Sequence, residues 1–148
     1  MTGPFSSLGA PASGMRVYQT WIDALSDNIA NVNTINPAGQ AAFQERYVVA
    51  QSSNGGAAGA SVAGGPGAAG IGDGAYVSGV EFGDPNGRMV YQPDHPYADA
   101  DGMVRVPDID MATQMTNLII AQRAYSANVN VFERARDTYL RALDIGRS

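Results

Sequence analysis

The N-terminal part of the chain carries apolar side chains at the spacing of a helix that packs along another helix. From Met15 to Val32, alternating steps of three and four residues separate them. The positions are Met15, Tyr18, Ile22, Leu25, Ile29 and Val32. This alternation aligns the side chains in one seam, as in a coiled coil. We therefore predict a helix from about Leu8 to Val32, with regular turns from near Pro11, because proline is tolerated in a first helical turn.

The C-terminal part repeats this pattern over a longer stretch. Ten positions follow steps of four and three residues, and eight of the ten are apolar. The positions are Met111, Met115, Leu118, Gln122, Tyr125, Val129, Phe132, Arg136, Tyr139 and Leu143. We predict a helix that is capped by Asp110 and runs to Ile145, with Gly146 after its end. It would be about 50 Å long, whereas the average helix has about 11–12 residues, so it requires a partner along most of its seam.

The middle of the chain alternates between turn residues and β-forming residues. The segments 84–87 (Asp-Pro-Asn-Gly) and 101–102 (Asp-Gly) are typical of turns. We predict four strands, at Phe43–Gln51, Ala75–Phe82, Met89–Tyr91 and Met103–Val106. The segment 52–74 contains nine glycines and six alanines, which offer little apolar area to offset the entropy of ordering. We therefore predict a long flexible Gly/Ala loop over 52–74.

Together these elements predict a fold that is mainly α with a small β-rich middle. Residues 1–34 are expected to form an N-terminal export and assembly helix, 35–107 the β-rich middle, and 108–148 the C-terminal helix. We expect the terminal helices to pair as a coiled-coil-like core, with a β-hairpin-type insertion between them. The pattern leaves three arrangements open: pairing within one small globular domain, an ordinary coiled-coil dimer, and a polymer.

Composition narrows the classes of function. The net charge of -5 disfavours nucleic-acid binding, which needs a basic surface to replace the phosphate counterions. The sequence lacks a stretch of about 18 apolar residues that could span a bilayer, and it lacks cysteine for disulfides or thiolate metal sites. The first residues show no basic region followed by an apolar run, so we expect no cleaved secretory signal.

Candidate catalytic and metal sites fail on residue type and spacing. His95 is the only histidine and lies in a turn-like segment between prolines, so it lacks a second histidine or a cysteine to share a metal. A calcium loop with Gly102 as its glycine would place Tyr97 at the first ligand position and Asp108 at the twelfth, where an acid and a glutamate are needed. The Gly-x-Ser-x-Gly and Gly-Lys-Ser/Thr motifs are missing. We expect no catalytic residue, cofactor, metal or small-molecule substrate.

Motifs at both ends and in the middle resemble the FlgC family of flagellar basal-body rod proteins. Segment 28–34 reads Asn-Ile-Ala-Asn-Val-Asn-Thr, which is similar to a signature shared by rod and hook proteins. Segment 123–128 reads Arg-Ala-Tyr-Ser-Ala-Asn and is similar to their C-terminal signature, while segment 90–110 resembles the pattern that separates this family from its axial relatives. The motif residues are Asn28, Ala30, Asn31, Thr34, Tyr91, Pro93, His95, Pro96, Asp99, Gly102, Pro107, Asp110, Arg123, Tyr125 and Asn128. Asp108 and Gln114 stand where the family usually has Asn and Glu.

The resemblance implies a structural role without catalysis. Such proteins are proximal-rod subunits of the drive shaft that crosses the periplasm. They polymerise by their terminal helices with copies of themselves and other rod proteins above the basal-body base. The flagellar type III apparatus exports them without signal cleavage.

We expect the assembly contacts along the seams of the two terminal helices. The residues are Met15, Tyr18, Ile22, Leu25, Ile29, Val32, Met115, Leu118, Tyr125, Val129, Phe132, Tyr139 and Leu143. Two alternatives to a proximal-rod subunit remain open at this point. The chain could be another axial flagellar protein, either a different rod subunit or a hook-related one, or it could be a soluble coiled-coil adaptor.

Overall fold

The computed structural model describes residues 6–53 and 74–146. The sequence order is one long helix, five short strands and a second long helix. The elements are α1 (Ser6–Asn31), β1 (Asn36–Pro37), β2 (Arg46–Ser52), β3 (Ala75–Phe82), β4 (Arg88–Tyr91), β5 (Met103–Val106) and α2 (Met111–Ile145). The prediction of a mainly α chain with a small β-rich middle is confirmed. The predicted Gly/Ala loop 52–74 lies almost entirely outside the described residues.

Helix α1 begins earlier than predicted and ends in a local hydrogen-bonded turn. Pro11 lies inside the helix, so the expected regular start near Pro11 is wrong. A proline this close to the N-terminus removes only one helical hydrogen bond, and the turns before it can still form. At the other end, the Thr34 amide donates to the Asn31 carbonyl at 3.0 Å, and the Thr34 hydroxyl donates to Asn31 Oδ1 at 3.2 Å.

Helix α2 begins at the predicted cap. The Asp110 carboxylate accepts hydrogen bonds from the Ala112 amide at 3.3 Å and from the Thr113 amide at 3.0 Å. The Thr113 hydroxyl also donates to it. This hydroxyl bond, followed by the backbone bonds, lowers the pKa of Asp110. The cap therefore satisfies orphan N–H groups of the first turn with a charged acceptor.

The strands form two small sheets. Strands β1, β5 and β4 are antiparallel neighbours in that order, with Asn36 opposite Arg105 and Val90 opposite Val104. Strand β1 was missed because a two-residue Asn-Pro segment reads as a turn. Strands β2 and β3 form a separate pair, and the Gly83 amide closes one of its ends by donating to the Glu45 carbonyl at 2.8 Å.

Gly87 and Gly102 occupy turns that the sequence anticipates. Gly87 has a φ of 53°, and a Cβ there would lie 2.3 Å from the Val106 carbonyl oxygen. Gly102 has a φ of 72°. Both positions favour glycine because side chains rarely adopt positive φ, and the turn at Gly87 brings the chain directly against β5.

The chain folds as two units, each built from segments that are distant in the sequence. Unit 1 comprises Met1–Gln19, Ala50–Ser78 and Gln122–Ser148, and unit 2 comprises Thr20–Val49 and Gly79–Ala121. The hydrophobic core lies in unit 2, where the buried apolar residues are Ala24, Leu25, Val32, Ala42, Val104, Val106, Ile109 and Ala121. In the described part of unit 1, only Pro11 and Ser13 are buried. Unit 1 therefore buries no large aliphatic or aromatic side chain among its described residues.

Within the described ranges, neither helix is long and apolar enough to cross a membrane.

Candidate assembly surface

A buried polar residue of α1 joins the helix to strand β2 within unit 2. Asn28 is 0% exposed. Its Oδ1 accepts a hydrogen bond from the Arg46 amide at 2.9 Å, and its Nδ2 donates to the Arg46 carbonyl at 3.1 Å. One carboxamide thus satisfies both backbone groups of the first residue of β2, as a neighbouring strand would do.

The same carboxamide reaches α2 through a second buried amide. Asn28 Nδ2 also donates to Gln114 Oε1 at 3.1 Å, and Gln114 Nε2 donates to Glu45 Oε1 at 2.7 Å. Gln114 is 2% exposed. The side-chain polar atoms buried in the described residues all have hydrogen-bond partners, so this network fulfils the condition under which polar groups are tolerated in a core.

Charged and aromatic groups surround the network at the start of β2. The Arg46 guanidinium forms an ion pair with Asp27 and lies 5.6 Å from the centre of the Phe43 ring. A hydrogen bond to Glu45, partial burial, and the negative charges of Glu45 and Asp108 raise the pKa of Tyr47 to about 12. The carboxylate of Glu45 therefore accepts hydrogen bonds from both Gln114 and Tyr47.

Two close approaches organise the described part of unit 1. A Cβ at Gly14 would lie 2.6 Å from Asn128 Oδ1, so glycine lets α1 and α2 approach at this point. Gly74 has a φ of 84°, and a Cβ there would lie 2.0 Å from Ser13 Oγ. That hydroxyl donates to the Ala10 carbonyl at 2.7 Å and accepts from the Ala75 amide at 3.0 Å, which anchors the start of β3 on α1.

The predicted seam of α1 is partly buried. Leu25 and Val32 belong to the core of unit 2. The remaining positions are half-buried, namely Met15, Tyr18, Ile22 and Ile29.

The predicted seam of α2 is less covered than that of α1. Leu118, Tyr125, Val129, Phe132 and Tyr139 are half-buried. Met115 and Leu143 are exposed. The most buried positions of α2 are instead Gln114 and Ala121, which lie one residue before the predicted stripe.

The motif residues of the middle segment shape its turns. The Met103 and Asp101 amides donate to Asp99 Oδ1 at 2.8 and 3.0 Å. A Cβ at Gly102 would lie 2.8 Å from Tyr91 Cε2 and 3.1 Å from Pro93 Cβ.

His95 is a turn residue, as predicted. Its amide donates to the Gln92 carbonyl at 3.1 Å, and its carbonyl accepts from the Ala98 amide at 2.9 Å. Pro96 is exposed beside it, whereas Pro107 is buried at the end of β5.

The motif residues on the helices divide between buried and exposed positions. Asn28 is buried, and Asn31, Thr34, Tyr125 and Asn128 are half-buried. Ala30 and Arg123 are exposed.

Comparison with known proteins identifies the family. A family model described as flagellar basal body rod FlgEFG protein C-terminal matches residues 100–145. Flagellar basal-body rod protein FlgC of Bacillus subtilis is 31% identical over 149 residues, covering 97% of this chain and 98% of the relative. The chain belongs to the FlgC family. The proteins of the same name from Borreliella burgdorferi (31% identity, 97% of both chains) and Escherichia coli O157:H7 (30% identity, 91% of this chain and 92% of the relative) agree with this assignment.

Membership in the FlgC family makes the chain a structural subunit of the flagellar basal-body rod. The signature residues Asn28, Asn31 and Thr34 now have physical roles: Asn28 joins α1 to β2 and α2, while Asn31 and Thr34 close the end of α1. Asp110 caps α2, and Asn128 faces Gly14.

Sequence reasoning missed a row of inward-facing residues on α2, of which Gln114 and Ala121 are buried and Asn128 is half-buried. Gln114, Ala121 and Asn128 recur every seven residues, but a search for apolar periodicity passes over polar and small side chains. The seven-residue interval on α2 is the signal that could have revealed this row. The motif residue Asn28 and Gly14 match it on α1, where they are two heptads apart.

Proposed function

We propose that this chain is a proximal-rod subunit that polymerises through its two terminal helices into the shaft that transmits torque. The observation that carries the proposal is the uneven distribution of buried apolar side chains. Unit 2 has a core, whereas the described part of unit 1 buries no large apolar residue. A helical segment without such burial gains little stability from its own subunit, so its apolar side chains are available to neighbouring subunits.

The exposed apolar residues of α2 extend the proposed contacts beyond its seam. Val131 is 55% exposed, Leu140 51% and Ile145 76%. Fully burying one aliphatic side chain contributes about 1.5–3 kcal/mol. A heterologous contact of this kind, repeated around a screw axis, generates an open helical assembly, and many such contacts in parallel would resist torque.

The pairing of the terminal helices as an antiparallel coiled coil is part of this proposal. Asn28 contacts Gln114 in unit 2, and Gly14 approaches Asn128 in unit 1. Gly14 and Asn28 are fourteen residues apart on α1, and Gln114 and Asn128 are fourteen residues apart on α2. Equal intervals of two heptads, running in opposite directions along the two helices, support antiparallel pairing.

The proposed partners, location and export route of the subunit extend its assignment to the FlgC family. The partners are copies of the chain, other rod proteins and the basal-body base, and the location is the periplasmic part of the rod. Export would use the flagellar type III apparatus, without removal of a signal peptide. A unit with little core of its own unfolds at low cost, which favours passage through a narrow export channel.

The seam of α2 provides a test of this function. Val129→Asp places a carboxylate at a half-buried seam position, whereas Arg134→Glu changes charge at an exposed position of the same helix. In the native host without its own copy of the gene, we expect Val129→Asp to be exported and yet to build no rod, because burying an unpaired charge costs several kcal/mol in every subunit. We expect Arg134→Glu to be milder.

Export and rod completion are scored separately in this experiment. Normal motility of Val129→Asp would contradict assembly through the seam. Retention of the wild-type chain in cells that secrete other rod proteins would instead support a soluble coiled-coil adaptor.

A further inference from the structure

The polar network of unit 2 has a defined direction. The Glu45 carboxylate accepts from Gln114 Nε2 at 2.7 Å, which leaves Gln114 Oε1 to accept from Asn28 Nδ2 at 3.1 Å. Asn28 Oδ1 in turn accepts from the Arg46 amide at 2.9 Å. An ionised carboxylate can only accept hydrogen bonds and a backbone N–H can only donate. The two ends of the chain of bonds therefore fix the orientation of both amide side chains.

The network connects three elements that are far apart in the sequence. Asn28 lies on α1, Glu45 directly precedes Arg46, the first residue of β2, and Gln114 lies on α2. Both carboxamides are almost fully buried. A buried polar group left without its partner is destabilising, and more so for a charged group. A shifted packing of these elements would lose several of these hydrogen bonds together.

We propose that Glu45 and Gln114 form an acid–amide pair that fixes the packing register of α1, β2 and α2, and that this pair requires at least one amide, because two facing carboxylates have no donor to share. The requirement arises because the Glu45 carboxylate can only accept, so residue 114 must donate a hydrogen bond to it. A glutamate at that position would offer only acceptors to Glu45. An amide at position 45 would restore a donor to the pair.

The charged groups beside Glu45 already have partners. On β2, Arg46 is engaged in an ion pair with Asp27 of α1, and the Tyr47 hydroxyl is hydrogen-bonded to Glu45. Arg88 lines a pocket together with Asp108 and Asp110, so that cation lies beside carboxylates of its own. A carboxyl group introduced at residue 114 would be buried beside the Glu45 carboxylate, so it is expected to hold a proton at higher pH than usual.

Three variants of the full chain test the pair. Gln114→Glu creates two facing carboxylates, Glu45→Gln creates two facing amides, and the combination of both substitutions exchanges the acid and the amide. In the exchanged pair, the new glutamate can accept from Asn28 Nδ2 and from the new glutamine, so every group is satisfied again. The readout is amide exchange at Arg46, because its N–H donates to Asn28 Oδ1 and reports whether the register is kept.

At pH 7, we expect Gln114→Glu to lose at least about tenfold in protection at Arg46, since a loss of 1.4 kcal/mol is a factor of ten. Protection should recover at about pH 4.5, where a protonated carboxyl can donate. The exchanged pair should recover most of the protection at pH 7, and Glu45→Gln alone should lose little, because its amide oxygen still accepts from Gln114.

Wild-type protection in Gln114→Glu at pH 7 would overturn the proposal. An exchanged pair no more protected than Gln114→Glu would overturn it as well, since a purely steric role of Gln114 predicts that result. If Gln114→Glu fails to fold, the exchanged pair decides alone: it folds under the proposal, and it fails to fold if the proposal is wrong.

Discussion

Gly14 on α1 lies so close to Asn128 on α2 that a Cβ at residue 14 would be 2.6 Å from Asn128 Oδ1. The Asn128 side chain cannot turn away without loss, because its Nδ2 donates to the Ala124 carbonyl at 2.9 Å. Both residues belong to unit 1. A side chain at Gly14 would therefore force the Asn128 side chain to move and to give up this hydrogen bond.

Gly14→Ala should impair rod assembly. The clash costs roughly 1–3 kcal/mol per subunit, which equals or exceeds the gain of up to about 1 kcal/mol from replacing a helical glycine. Gly9→Ala is the matched control, because a Cβ at Gly9 meets nothing within 4 Å. Basal bodies counted by electron microscopy should show few complete rods for Gly14→Ala and normal numbers for Gly9→Ala. Adding Asn128→Ala should restore assembly to the Gly14 variant, and equal yields for the two glycine variants would refute the close-approach argument.

Tyr47 should make unit 2 sensitive to alkaline pH. An ordinary tyrosine ionises near pH 10, whereas the pKa of Tyr47 is raised to about 12, chiefly by its hydrogen bond to Glu45. The unfolded chain therefore loses this proton first, so the stabilising effect is present below pH 10 and is lost as the pH rises towards 12. Urea unfolding from pH 8 to 12 should give a shallower loss of stability for Tyr47→Phe than for the wild type. Tyr76→Phe is the control, because the Tyr76 hydroxyl donates to the uncharged Gln51 Oε1, and it should keep the wild-type slope.

Asp110 should stabilise α2 only while it is ionised. Hydrogen bonds from Thr113 and Ala112 lower its pKa below the usual 3.8, so the effect is present above that pH and disappears as the pH falls through the lowered value. Asp110→Ala should lower the thermal midpoint at pH 7, with a difference from the wild type that shrinks below about pH 4. Asp94→Ala, at an exposed turn position, should leave the midpoint unchanged. A constant difference between pH 3 and pH 7 for Asp110→Ala would mean that the carboxylate charge is irrelevant.

The elements with strong local signals were predictable from the sequence. Asp110 was predicted as the N-cap of α2, and α2 begins directly after it. The strand Ala75–Phe82 has the bounds that its β-forming residues predict. The start of α1 was predicted too late because proline is most common in the first turn of a helix. In this chain the helix begins before Pro11 and continues through it. Gly146 also departs from a left-handed cap: its amide donates to the Ala142 carbonyl at 3.2 Å, and its φ is not among the positive ones.

The candidate site was only partly predictable, because its key contacts are long-range and polar. Periodicity detects apolar stripes, and it therefore favoured Met115 over the buried neighbour Gln114. The pairing of Gln114 with Glu45 spans 69 residues of sequence, and nothing local to either residue signals it. Asn28 was recognised as part of a motif, but its contact with both backbone groups of Arg46 arises only in the folded chain.

Amide exchange along α2 tests the central claim most directly, namely that neighbouring subunits complete unit 1. In the dilute purified chain, residues 122–145 should exchange much faster than residues 115–121, because only the latter lie in the unit with a core. In assembled rods, both segments of the helix should be protected. Strong protection of residues 122–145 in the dilute monomer, equal to that of residues 115–121, would show that unit 1 is stable alone and would contradict the account.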